Sequence, residues 1–226
     1  MIVNMLIVPI AIVAGIALIA PTVTTPLNFF MFDTNQFTHQ LQREALDALI
    51  SLQQLIDTYT PQHEQRVAEL SVRIGRHLRL PGERLEALNM AALVHDIGKV
   101  EIPQEVLNKP GRLTDEEFAL IRTHAQTSYD ILNRISFTMP IPAIAYAHHE
   151  YLDGSGYPRG LRGDDIMLES RILTVADIVE SMSQERPYRK SLGMPAAFEE
   201  ISRLSGTRLD PLVVDACLQV CGEFHL

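Results

Sequence analysis

The sequence predicts an all-α domain, and three observations carry that expectation. No segment of the 226 residues alternates apolar and polar side chains with a period of two. Leu, Ala, Ile, Glu and Arg dominate the composition, which favours helices over strands. Apolar residues recur instead at steps of three and four, in stretches separated by Pro and Gly. With 46% apolar residues, the chain can bury a core as one ordinary domain plus an appendage, or as two small domains.

Residues 2–23 are almost wholly apolar, with Asn4 as the clear polar interruption. A run of about 20 such residues matches the hydrocarbon thickness of a bilayer. No Lys or Arg precedes the run, which argues against a secretory signal. Residues 1–25 are therefore expected to form a single membrane anchor; a mis-assigned start codon is the competing reading. From Thr34 to Tyr59 the pattern changes to that of a soluble helix. Leu41, Ala45, Ala48, Leu52, Leu55 and Tyr59 follow alternating steps of four and three, the seam of a short coiled coil. Residues 34–60 thus read as a linker helix that either joins two copies of the chain or docks on its own domain.

The remaining 61–226 form the main domain. Helices are expected at approximately 62–79, 83–97, 115–133, 140–149, 170–184 and 195–204, with a last one from Pro211 to about Glu223. Pro81-Gly82 breaks the first pair. Thr114 followed by Glu117 is a capping box that starts the third. Pro103, Pro110 and Gly111 keep the intervening segment from continuing as helix.

Ionisable residues fall on the apolar stripes of these helices. His63 aligns with Val67, Leu70, Ile74 and Leu78; His95 aligns with Leu85, Leu88 and Ala92; His124 lines up with Leu120 and Ile131. His148 and His149 follow Ile141, Ile144 and Ala145, and Asp177 shares a face with Leu173. One such residue is ordinarily a satisfied core histidine. Six on five consecutive helices form a pattern, because ionisable groups are rarely buried unless paired or bound to a cation. Five imidazoles and two carboxylates, counting Asp96 beside His95, suit two closely spaced transition metals such as iron, manganese or zinc. A dinuclear centre of that kind activates water for attack on phosphorus, so phosphate-ester hydrolysis is the reaction class implied. The net charge of −9 argues against a nucleic-acid polymer as partner but permits a small anionic ligand near metal ions. Cys217 and Cys221, four apart, read as buried thiols rather than a disulfide.

The stretch most densely furnished with chemistry is Ala147-His148-His149-Glu150-Tyr151-Leu152-Asp153-Gly154-Ser155-Gly156-Tyr157-Pro158. Together with Leu93-Val94-His95-Asp96-Ile97-Gly98-Lys99, Arg171-Ile172-Leu173-Thr174-Val175-Ala176-Asp177 and Arg186-Pro187-Tyr188-Arg189, it resembles the HD-GYP family. That family lies within the HD metal-dependent phosphohydrolases and comprises bacterial cyclic di-GMP phosphodiesterases. The resemblance covers roughly Tyr59 to Glu223 and implies an HD-type helical bundle with extra C-terminal helices.

It also implies roles for individual residues. His63, His95, Asp96, His124, His148, His149 and Asp177 would hold two divalent metals, iron or manganese, with Asp96 bridging them. Lys99 resembles the family lysine at the scissile phosphate, so Asp96 and Lys99 are the expected catalytic residues. Tyr157, Arg186 and Arg189 would contact cyclic di-GMP, which water attacks in line to give linear pGpG or GMP. Two departures stand out: Tyr59 replaces a glutamate that serves a third metal, and Glu180 replaces a second aspartate. Two metals rather than three are therefore expected. Glu150 and Asp153 are expected to orient or cap rather than react. The resemblance also fixes the expected location, a bacterial inner membrane with a cytoplasmic catalytic domain, or the cytoplasm if residues 2–23 are no span. The rival functions are an idle cyclic di-GMP receptor and an HD hydrolase of another nucleotide.

Overall fold

A computed structural model of the chain describes residues 34–56, 60–184 and 191–222. Residues 2–23, Arg186 and Arg189, and the side chains of Leu52, Leu55 and Tyr59 lie outside the described residues. The chain divides into two compact units, Met1–Phe37 and Thr38–Leu226. Apart from the first turn of the helix that begins at Thr34, everything below lies in the second unit. Among the described residues no helix is long and apolar enough to cross a membrane.

The described residues are all-α, with one isolated bridge, Ser205 to Leu209, in place of any sheet. The helices are α1 (Thr34–Ile56), α2 (Thr60–His77), α3 (Gly82–Val94), α4 (Gln104–Leu107), α5 (Asp115–Leu132), α6 (Ile141–Tyr146), α7 (Leu168–Ser183), α8 (Gly193–Leu204) and α9 (Pro211–Gly222). A short 3-10 helix, Ile97–Glu101, follows α3.

Helix α7 is the axis of the bundle. Ile172, Leu173, Val175, Ala176 and Val179 are all buried, so it has almost no solvent face and packs on α2, α3, α6, α8 and α9. Helix α2 buries Val67, Ala68 and Ile74 against α3, α7 and α9. Helix α5 starts at the expected capping box: Glu117 N–H donates to Thr114 Oγ1 and Thr114 N–H donates to Glu117 Oε2. It lies on the 3-10 segment and α6.

Three expectations need correction. Helix α3 ends at Val94 rather than running to 97, because the chain turns at His95-Asp96 into the 3-10 segment. Helix α6 ends at Tyr146, so His148 and His149 sit in the turn beyond it. Leu120 does not share the buried face with His124; it is 38% exposed. On α1 the face against the domain carries Gln42, Leu46, Leu49 and Ile50, while Leu41 and Ala48 of the expected seam face outward. The Gln42 side chain anchors this helix by donating 2.7 Å to the carbonyl of Ser136. Cys217 and Cys221 are buried free thiols, as expected.

Candidate metal centre

The seven predicted ligands come together. Asp96, His124, His148 and His149 offer atoms all within 4.8 Å of one another, and so do His63, His95 and Asp177. Asp96 faces both groups. Its Oδ1 lies 3.2 Å from His124 Nε2 and 3.9 Å from His148 Nε2, while its Oδ2 lies 3.4 Å from His95 Nε2. The break between α3 and the 3-10 segment is what lets this short side chain reach both ways.

Local backbone geometry fixes how the imidazoles point. His95, His124 and His148 each donate Nδ1–H to the carbonyl three residues earlier: Ala92 at 2.7 Å, Ile121 at 2.6 Å and Ala145 at 2.5 Å. A carbonyl only accepts, so Nδ1 carries a proton in each ring and Nε2 is the atom left to face the site. On His63 the Nδ1 meets Glu180, and Nε2 stands 3.3 Å from Asp177 Oδ1.

The result is a buried cluster of unmet polar atoms: Nε2 of His63, His95, His124 and His148, and Oδ1 of Asp96, make no hydrogen bond. Buried polar atoms are normally paired, and these five converge on one place. Imidazole nitrogen with carboxylate oxygen is a donor set for divalent transition metals. The residues present fit a dinuclear centre.

Electrostatics agree. Burial lowers His124, His148 and His149, the last to about 3, so these rings are neutral, the form that ligates. Burial also opposes charge on His95, yet the Asp96 carboxylate overrides it and lifts His95 to about 9. Burial would raise Asp96 too, but Lys99 and His95 hold its carboxyl well below the usual range. Lys99 Nζ contacts Asp96 Oδ2. The carboxylates thus draw positive charge into a dry site. Beside them lies Glu64, a buried carboxyl that burial pushes up to about 8 and that sequence reasoning passed over.

The elements around the ligands are latched by hydroxyls that the sequence did not flag. Ser128 Oγ, one turn after His124, accepts from Gly98 N–H at 2.9 Å and donates to the His95 carbonyl at 2.8 Å. Thr174 Oγ1, one turn before Asp177, reaches the His148 carbonyl at 2.7 Å. Spacing from a ligand was the available signal, but it is shared by many solvent-facing hydroxyls.

The turn after His149 is held by Glu150. Its two oxygens accept from Arg159 N–H at 2.7 Å and Leu161 N–H at 3.0 Å, so it closes the loop. Asp153 caps the turn through Ser155 N–H at 2.8 Å. A Cβ on Gly156 would meet the His149 carbonyl oxygen at 2.5 Å, so only glycine allows this approach. Tyr157 then lies with its ring 4.6 Å from that of His149.

The HD domain model matches residues 47–213. The chain belongs to the HD domain family. With its Gly156-Tyr157-Pro158 turn intact, it is an HD-GYP member of that family. It is 36% identical over 192 residues to the cyclic di-GMP phosphodiesterase response regulator RpfG of Xanthomonas campestris, covering 81% of this chain and 51% of the relative. It is 40% identical over 181 residues to a cyclic di-GMP phosphodiesterase of Thermotoga maritima, covering 78% of this chain and 49% of the relative. To the 3'3'-cGAMP-specific phosphodiesterase 1 of Vibrio cholerae it is 39% identical over 168 residues, covering 74% of this chain and 39% of the relative. The chain therefore spans about half or less of the length of these relatives. Among solved structures, a cyclic GMP-AMP phosphodiesterase of V. cholerae (V-cGAP3) superposes with a TM-score of 0.61 at 21% identity, covering 80% of this chain and 49% of that one. That likeness speaks for the fold.

Proposed function

We propose that this chain hydrolyses cyclic dinucleotides, cyclic di-GMP first among them, at a centre of two divalent metals. The observation that carries the reading is the pair of His/Asp clusters that Asp96 faces, with five inward polar atoms that make no hydrogen bond. Metals bound there supply a Lewis acid for the phosphate and an activated water for in-line attack on phosphorus.

The chain's own residues do the rest. His63, His95 and Asp177 would hold one ion and His124, His148 and His149 the other, with Asp96 facing both groups. Lys99, beside Asp96, meets the reacting phosphate and offsets charge on its oxygens. Tyr157 lines the approach, and Arg186 and Arg189 hold the dinucleotide. The product is linear pGpG, with GMP from a second cut. Nitrogen and oxygen donors suit iron or manganese, and Tyr59 at the place of a third-metal glutamate supports two ions. Outward-facing Leu41 and Ala48 on α1 support pairing of two copies through residues 34–60. Attachment to the inner membrane through residues 2–23 completes the proposal.

Relatives specific for 3'3'-cGAMP are as similar to this chain as those named for cyclic di-GMP. Cyclic GMP-AMP is accordingly the second substrate to test. The test is to incubate the Mn(II)- or Fe(II)-loaded protein, under reducing conditions, with each cyclic dinucleotide and separate the products. Opening of cyclic di-GMP to pGpG supports the assignment. Binding without turnover makes the protein a receptor.

A further inference from the structure

At the mouth of the site stands an arginine for which the roles above have no use. Helix α5 carries Arg122 two residues before His124, exposed to solvent. Its guanidinium carbon lies 4.4 Å from the centroid of the Tyr157 ring. That ring is 4.6 Å from His149 and 6.4 Å from His124. A cation, a phenol ring and the metal-facing imidazoles therefore run in series from solvent to the centre.

In this acidic chain arginines commonly face carboxylates: Arg43 meets Glu86, Arg66 meets Glu180, Arg84 meets Glu169, and Arg171 meets Asp164 and Asp210. Arg122 makes no hydrogen bond or ion pair with the described residues. Its donors are directed by an aromatic contact alone, which orients a guanidinium without consuming its N–H groups.

We infer that Arg122 binds the second, non-reacting phosphate of the cyclic dinucleotide. This rests on the function proposed above. The substrate carries two phosphates, and the metals take one. The other must lie outside the centre, near the carboxylates of Asp96 and Asp177, where it is repelled unless a cation stands beside it. Arg122 is a cation at the rim, its planar fork matches phosphate oxygens, and its contact with Tyr157 reduces the ordering cost of binding.

The test uses the full chain loaded with Mn(II), as wild type and as Arg122→Ala, Arg122→Lys and Arg122→Glu. Steady-state kinetics are measured on cyclic di-GMP, 3'3'-cGAMP and bis(p-nitrophenyl) phosphate, which has a single phosphate, alongside metal content per chain. Arg122→Ala is expected to raise KM for cyclic dinucleotide roughly tenfold, by a clearly larger factor than for the one-phosphate diester. Arg122→Glu should be worse than Arg122→Ala, Arg122→Lys should recover part of the loss, and metal content should match wild type. An equal loss on all substrates, or an unchanged KM, overturns the proposal. So does a loss confined to one of two accepted dinucleotides, which assigns Arg122 to a base edge. A wild type that cleaves the simple diester but neither binds nor opens any cyclic dinucleotide removes the functional reading itself, and this inference with it.

Discussion

The Nδ1 of His63 meets the carboxylate of Glu180, and Arg66 clamps that carboxylate from its other side, Nε donating to Oε1 at 2.7 Å. Where the resemblance expects an aspartate, a glutamate longer by one methylene spans from α7 to the imidazole on α2. Glu180 holds the His63 ring by its Nδ1 and leaves Nε2 toward the site. Replacing Glu180 by Gln or Ala should weaken metal binding by about 10–100-fold while the fold stays intact. Titration of the metal-free protein with Mn(II) reads this out; unchanged affinity would mean that His63 is held by packing alone.

Gly98 is a steric requirement. A Cβ there would meet the His124 carbonyl oxygen at 2.1 Å and the Ser128 amide nitrogen at 2.5 Å. The 3-10 segment bearing Lys99 and the helix bearing His124 touch backbone to backbone at this point. Gly98→Ala should cost roughly 1–3 kcal/mol as the two are pushed apart. Thermal unfolding measures the loss, and metal content should fall with it because Asp96 and His124 separate.

Much of this arrangement was legible in the sequence because burial repeats. His63, His95, His124 and Asp177 fell on stripes with Val67, Ala92 and Leu173, and a ligand must face inward as a core residue does. His148 and His149 were legible as members of the cluster but not in their conformation. On a helix, consecutive side chains diverge by about 100° and could not serve one site. The chain therefore leaves α6 first, and the two rings come to lie 3.9 Å apart. The face of α1 was not legible, since its apolar residues allow two stripes and tertiary packing chose the one through Leu46. Ser128 and Thr174 were invisible because a hydroxyl that latches a carbonyl has the same sequence as one that faces water.

Glu150 separates a structural carboxylate from a catalytic one. With both oxygens on backbone N–H groups of the loop, Glu150→Ala should increase proteolytic cleavage within 151–162. Glu150→Gln keeps one acceptor oxygen and should retain the pH profile of turnover. Loss of the basic limb of that profile in Glu150→Gln would make it a general base after all.

The pair Arg84 and Glu169 ties the start of α3 to the start of α7, with Arg84 Nε donating to Oε1 at 2.6 Å and Nη2 to Oε2 at 3.0 Å. Burial would raise the Glu169 carboxyl, but Arg84 holds it below the usual range. A carboxyl whose folded pKa is depressed stabilises the fold above its unfolded pKa and ceases to as pH falls through the folded one. Because the guanidinium is partly solvated, Arg84→Ala should cost only about 1 kcal/mol at neutral pH. Urea unfolding as a function of pH should show the gap between wild type and variant closing in acid. A gap that persists in acid assigns the effect to packing of the arginine stem instead.

The most direct test of the dinuclear reading is metal content and turnover measured together on wild type and the His148→Ala/His149→Ala double variant. Wild type is expected to hold about two ions per chain and to open a cyclic dinucleotide. The double variant is expected to lose the ion of the Asp96 and His124 cluster, and turnover with it. Cyclic dinucleotide hydrolysis that survives removal of both histidines would contradict the account.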